Sequence, residues 1–137
     1  TAELEFSPMA IVATAPILSV GVSGDANNTT DAILSNGGLL QVKKTVGGTS
    51  GSLAGTTTVV AGSVYKAAIA QSINEADMAV NGGSIATSSQ FGYPSATLMA
   101  LGRGQWASVG TGNPVYIRAQ STWGYPLGAV GLQSVTS

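Results

Sequence analysis

Residues 64–87 read Val64-Tyr65-Lys66-Ala67-Ala68-Ile69-Ala70-Gln71-Ser72-Ile73, then Asn74-Glu75, then Ala76-Asp77-Met78-Ala79-Val80-Asn81, then Gly82-Gly83, then Ser84-Ile85-Ala86-Thr87. Tyr65, Ala67, Ile69 and Ile73 share one parity; Ala76, Met78 and Val80 share one after the turn. Alternation with period two is the pattern of antiparallel strands with one face buried. Asn81-Gly82-Gly83 supplies residues that tolerate positive φ, as a tight hairpin requires. The stretch predicts a three-strand meander at the centre of an all-β domain.

Towards the N-terminus the same pattern returns. Ala2, Leu4 and Phe6 alternate with Glu3 and Glu5, so an opening strand with one wet face is expected, ended by Pro8, which cannot donate to a ladder. Residues 11–13 suggest a short edge piece, and Leu18, Val20 and Val22 a second strand. Residues 23–31 form a polar loop. Its Asp25, Asn27, Asn28 and Asp31 suit a turn closed by side-chain bonds to backbone. The same oxygens could ligate calcium, although their spacing is not that of an EF-hand loop. Asn27-Asn28-Thr29 and Asn28-Thr29-Thr30 match the glycosylation sequon, which matters only in a eukaryotic secretory setting. Residues 32–35 and 39–44 predict a hairpin across Asn36-Gly37-Gly38, with Lys43 and Lys44 as a solvated strand end. Residues 46–60 are low in complexity. Thr56-Thr57-Thr58-Val59-Val60 favours strand, so two short strands are expected there, against a flexible linker.

Towards the C-terminus, Phe91 and Tyr93 sit in a loop, residues 96–101 form a strand, and residues 102–114 form a long glycine-rich loop carrying Trp106 and Asn113. Gly102 and Gly104 do not make a phosphate loop, because no Lys-Ser/Thr follows and no helix opens. Val115, Ile117, Ala119, Ser121 and Trp123 share one parity, the pattern of a long half-buried strand. After the Tyr125-Pro126 turn, residues 127–135 can hold a short helix with Leu127, Val130 and Leu132 on one side, weakened by Gly128 and Gly131.

Composition bounds the chemistry. The 137 residues suit one domain, residues 1–137, large enough to fold without a staple. The absence of cysteine and histidine excludes disulfides, thiolate or histidine metal sites and His-based catalysis. A net charge of -1 from five basic and six acidic residues leaves no basic patch for nucleic acid. Only 8% of residues are charged, against about 25% in ordinary soluble domains. Such a surface resists association poorly, which suits a smooth secreted or fibrous β-protein or, more pointedly, a subunit of a larger assembly. No apolar run reaches the roughly 20 residues of a membrane helix, and residues 9–22 are broken by Pro16 and lack a basic flank. Thr1 enters a strand pattern at once, so the chain is expected to be a processed product or a piece of a longer protein.

Val115-Tyr116-Ile117-Arg118, Trp123-Gly124-Tyr125-Pro126-Leu127 and Leu132-Gln133-Ser134-Val135-Thr136 together resemble the C-terminal signature of concanavalin A-like, LamG-type jelly-roll domains of phage tail and virion proteins. Residues 65–70 and 76–83 resemble that family's central strand pair, and Ser95-Ala96-Thr97-Leu98 with Leu101-Gly102 its next strand. The chain departs from the family in its helix glycines and its few charges. The resemblance implies a two-sheet antiparallel β-sandwich with one short C-terminal helix. It also implies a non-enzymatic module on the virion surface, a capsid decoration or a tail or fibre domain, whose partners are copies of itself, other virion proteins or host-surface glycans. The alternative is a secreted carbohydrate-binding lectin module of a larger protein. For glycan contact the candidates are Trp106, Tyr93, Phe91 and Asn113, an aromatic plane with an amide nearby. A Trp106 that caps the sandwich or fills a subunit interface is the competing reading.

Related sandwiches hydrolyse glycans with two carboxylates. Glu3 and Glu5 fall on one face about 7 Å apart, from roughly 3.3 Å per residue. The third acid of the Glu-x-Asp-x-x-Glu hydrolase strand is missing, and Glu75 and Asp77 fall at a hairpin. Solvated strand faces account for all four, and no catalysis and no obligatory cofactor are expected, with calcium at Asp25, Asn27, Asn28 and Asp31 as the only metal candidate.

Overall fold

A computed structural model describes residues 1–12, 16–22, 24–35, 37–89, 98–101 and 114–137. The strands are β1 (Ala2–Pro8), β2 (Pro16–Gly21), β3 (Asn28–Leu34), β4 (Leu39–Val46), β5 (Thr49–Thr58), β6 (Tyr65–Gln71), β7 (Ala76–Val80), β8 (Ala86–Ser88), β9 (Leu98–Leu101) and β10 (Val115–Thr122), followed by helix α1 (Ala129–Thr136). They form two five-stranded sheets, ordered β10-β1-β6-β7-β8 and β5-β4-β3-β2-β9, with every pairing antiparallel. The arrangement is a jelly-roll β-sandwich, as the resemblance implies.

The expected meander is present. Ile69 lies opposite Met78, and Met78 opposite Ala86. Tyr65, Ala67, Ile69, Ala76, Met78 and Val80 all enter the core, because alternation sends one parity of each strand inward. They meet Leu18, Ala32, Leu34, Leu40, Val42 and Leu53 of the facing sheet. Fully burying each large aliphatic or aromatic side chain is worth about 1.5–3 kcal/mol. Phe6 packs beside its in-register neighbour Tyr65 with ring centroids 6.0 Å apart. The Tyr65 hydroxyl accepts the Val60 N–H at 3.0 Å, so one side chain both fills the core and holds the chain after β5.

The outer face of β6 and β7 carries Ala68, Ala70 and Ala79, and these small side chains let α1 lie close, with Leu132 fully buried between them. The helix has no side-chain cap at Gly128. Docking holds it instead: Thr136 Oγ1 accepts the Gly82 N–H at 3.0 Å and Gln133 Nε2 donates to the Gly83 carbonyl at 3.1 Å. Gly82 and Gly83 belong to the β7–β8 turn, where Asn81 (φ 49°) and Gly82 (φ 66°) adopt the left-handed conformation anticipated for this Asn-Gly pair.

Several expectations are corrected. Ile73 is 76% exposed, because β6 stops at Gln71 and Ser72 turns the chain through its bonds to Glu75. Ile11 and Val12 form no strand, and Ala13 lies outside the described residues. Residues 49–58 make one ten-residue strand rather than two, since Gly51 and Gly55 are absorbed into the ladder and the turn falls at Gly47-Gly48, both with positive φ. In β10 the register skips between Ile117 and Ala119, leaving Arg118 as a bulge. Beyond it the inward side switches: Gln120 and Thr122 stand opposite Leu4 and Ala2, in place of Ala119 and Ser121. Val130 is 81% exposed, and the helix buries Leu132 and Thr136 instead. Strand β3 begins at Asn28, so Asp31 belongs to a strand and not to the polar loop. Lys44 is buried, because β4 runs on to Val46 and its alternation places Lys44 on the side of Leu40 and Val42, where the aliphatic stem packs.

Candidate functional site

The outer face of the β6–β7 pair is taken by α1, whereas on the other sheet β4 and β5 keep theirs open. Register defines that face. Lys43 of β4 stands between Asp31 of β3 and Ser52 of β5, and Thr45 stands between Thr29 and Ser50. Lys43, Ser50 and Ser52 are exposed. Thr45 Oγ1 and Ser50 Oγ lie 3.4 Å apart. These groups, with Gly51 between the serines, border a depression of about 350 Å³. Lys44 lines it too, so among the described residues its border carries the exposed Lys43 ammonium, the buried Lys44 and three hydroxyls, with no carboxylate. Glycine and serine make β5 low in relief, so the depression opens to solvent. Of this group the sequence singles out only Lys43, and that together with Lys44 as a solvated strand end. The signal that could have found the group was the shared parity of Thr45 and Lys43 with Ser50 and Ser52, which is legible only once β5 is taken as one strand.

Towards β2 the same face becomes buried and polar. Asp31 is 5% exposed and lies in register with Ser19, which is fully buried. Thr29 Oγ1 donates to Asp31 Oδ2 at 3.3 Å. Burial pushes the Asp31 carboxyl up to about 6, against the opposing pull of the Ser19 and Thr29 hydroxyls.

Of the suggested calcium donors, Asp25 closes its own turn. Its Oδ1 accepts the Asn27 N–H and its Oδ2 the Asn28 side-chain amide, both at 2.8 Å. These bonds, the Asn28 one first, hold its carboxyl below the usual carboxylate range. Asn28 Oδ1 accepts the Gly47 N–H at 3.2 Å, which ties this turn to the β4–β5 hairpin. Asp31 faces Ser19 and Thr29 on the sheet. Among the described residues no three acidic side chains gather as metal ligands would.

Trp106, Tyr93, Phe91 and Asn113 lie outside the described residues. Glu5 is bound to Arg118 at 2.8 Å and also stands in register with Lys66, while Glu3 stands beside Ala68. The bulge that expels Arg118 from the ladder is what brings it onto Glu5. Lys66 Nζ donates to the Ser137 carbonyl at 2.7 Å instead, so the Glu5 carboxylate is engaged by Arg118. Among the described residues no helix is long and apolar enough to cross a membrane.

No family model matches the sequence, and no curated protein does. Solved structures do match by shape. The CBM40 module of the Ruminococcus gnavus IT-sialidase, bound to α2,3-sialyllactose, superposes with a TM-score of 0.79 at 19% identity, over 99% of this chain and 81% of that one. A heptameric SAP-like pentraxin from Limulus polyphemus gives 0.75 at 16% identity, over 99% of this chain and 68% of that one. A leech intramolecular trans-sialidase in complex with 2,7-anhydro-Neu5Ac gives 0.75 at 15% identity, over 98% of this chain and 22% of that one. At such identities the likeness is one of fold: the chain has the jelly-roll sandwich of these lectin-like domains, and the likeness carries no link to phage proteins.

Proposed function

We propose that this chain is a non-catalytic carbohydrate-binding module. The observation that carries the reading is the match, over nearly the whole chain, to the CBM40 module that holds sialyllactose. This favours the lectin-module alternative over a role in the virion. The binding surface is the open outer face of β4 and β5. Lys43 supplies one charge for a sugar carboxylate, and Thr45, Ser50 and Ser52 supply hydroxyls that exchange hydrogen bonds with sugar hydroxyls. The class of ligand is therefore an acidic glycan. Trp106, with Tyr93, Phe91 and Asn113, remains the proposed aromatic platform. Calcium at the Asp25 turn remains a proposal whose test is the effect of chelation on binding. The sparse charge favours self-association, which a mass measurement in solution checks.

The decisive experiment is a titration with 3′-sialyllactose and with lactose, on the native chain and on Lys43→Gln. Preference for the acidic sugar and roughly tenfold weaker binding in Lys43→Gln, in line with loss of one charge-assisted contact, support the site. Equal binding of both sugars, or binding indifferent to Lys43→Gln, rejects it. A chain that binds neither sugar, nor any member of a broad glycan panel, rejects the module reading as a whole.

A further inference from the structure

Between the sheets, at the end where edge strands β9 and β10 face each other, the described residues do not fill the core. A cavity of about 160 Å³ remains there, partly open to solvent. Its walls are Leu18, Val20 and Ala32 from one sheet and Ile69 from the other. Polar groups gather around it: Thr30, Gln71, Thr122 and the half-buried Trp123. Gln71 Nε2 reaches across from β6 to donate to Thr30 Oγ1 at 3.3 Å, so its carbonyl is the acceptor left for an incoming hydroxyl. Gln120 Nε2 donates to Met99 Sδ at 3.1 Å, a bridge from β10 to β9 whose methionine is a flexible, unbranched chain. None of the described residues lining the cavity carries a charged side chain.

Protein interiors are close-packed, and voids larger than a water are few. An engineered apolar cavity of about 150 Å³ stays dry and takes up benzene. The space here is of that size, with the difference that hydroxyls and an amide sit at its rim. A sugar ring does not suit it, because hydroxyls around the whole ring would be pressed against Leu18, Val20 and Ile69 without partners. A charged group does not suit it either: no lining side chain among the described residues is charged, and the Thr1 amino group at the rim already donates to the Trp123 and Tyr125 carbonyls.

We propose that this cavity binds a small neutral amphiphile, a ring or chain of about six carbons, by analogy with benzene in a cavity of that size, bearing one hydroxyl or carbonyl at one end. The hydrocarbon part lies among Leu18, Val20, Ala32 and Ile69, and the polar end meets Gln71 and Thr30. This site is separate from Lys43 and does not depend on the glycan reading.

Cyclohexanol is the probe and myo-inositol, the same ring with a hydroxyl on every carbon, its control. Methyl resonances of Leu18, Val20 and Ile69 are followed by NMR during each titration. The expected result is a saturable, one-to-one shift with cyclohexanol and none with inositol. Ala32→Ile adds bulk to one wall, and Ala2→Val adds it from the opposite sheet. Either is expected to weaken cyclohexanol at least roughly tenfold, the discrimination one surplus methylene gives in an apolar pocket, while leaving any sialyllactose binding unchanged. If Ala32→Ile fails to fold, Ala2→Val decides. Absence of a saturable shift, equal response to inositol, or affinity indifferent to the folded filling variants overturns the proposal.

Discussion

Replacing Asp31 by asparagine tests how the buried polar patch behind the candidate glycan face is held. Asp31 is 5% exposed, and its carboxyl is raised from 3.8 to about 6, chiefly by burial. Its hydrogen bonds from Thr29 and Ser19 offset only part of that cost. Lys43, its partner in register on β4, is exposed, where attraction is screened by solvent. The sign follows from the raised value. Below pH 3.8 the carboxyl is neutral in both folded and unfolded chains, and its contribution is at its most favourable. As pH rises towards 6 the unfolded chain ionises first, so stability is lost across that window and is level above it. At about 1.4 kcal/mol per tenfold in proton concentration, the interval corresponds to about 3 kcal/mol. Asp31→Asn keeps an acceptor for Thr29 and adds an N–H for Ser19, and it carries no charge at any pH. The variant is therefore expected to gain about 1–3 kcal/mol at pH 7.5 and nothing at pH 3.5. For a chain of this size that is a rise in melting temperature of roughly 3–12 °C at neutral pH. Urea or thermal denaturation of both proteins at the two pH values measures it. A variant less stable than the native chain at pH 7.5, or a stability difference that does not change between the two pH values, refutes the reasoning.

Gly38 has φ 77°, and a Cβ there would run into the Val59 carbonyl. Gly38→Ala is expected to cost about 2 kcal/mol or more through that clash and the left-handed backbone, read by chemical denaturation. Leu132→Ala removes the fully buried apolar side chain that α1 sets on the alanine platform of β6 and β7. It is expected to lower stability by about 2–5 kcal/mol and to raise hydrogen exchange in α1, since this uncapped helix is held by docking. Arg118→Ala breaks the pair with Glu5, but the guanidinium is 59% exposed. The expected loss is below about 1 kcal/mol, and a larger one would show that the bulge itself depends on the pair.

Legibility varied with how local the cause was. The core parity of Tyr65, Ala67, Ile69, Met78 and Val80 was readable because alternation along one strand needs no knowledge of its neighbours. The Asn81-Gly82 turn was readable because few residues accept its backbone angles. Where reading failed, a neighbour had intervened. The β10 parity holds to Ile117 and reverses after Arg118, because β1 and β10 pair with an extra residue between them. The glycines of residues 49–58 looked like turns, yet β4 supplies enough partners to carry a single strand through them. Asp31 looked like a loop acid, but Thr29 and Thr30 extend β3 beneath it and bury it.

Residue order alone determined that this is an all-β chain of amphipathic strands with a weak terminal helix, because side-chain period and turn chemistry are properties of consecutive residues. It also excluded thiol and imidazole chemistry, because the atoms are absent. Only the folded chain decided which Lys faces water, that Glu5 is bound to Arg118, that Thr45, Ser50 and Ser52 surround Lys43, and that the described residues leave a void beside Trp123. Each of those depends on register and on the distance between sheets, and these are set by contacts between residues far apart along the chain.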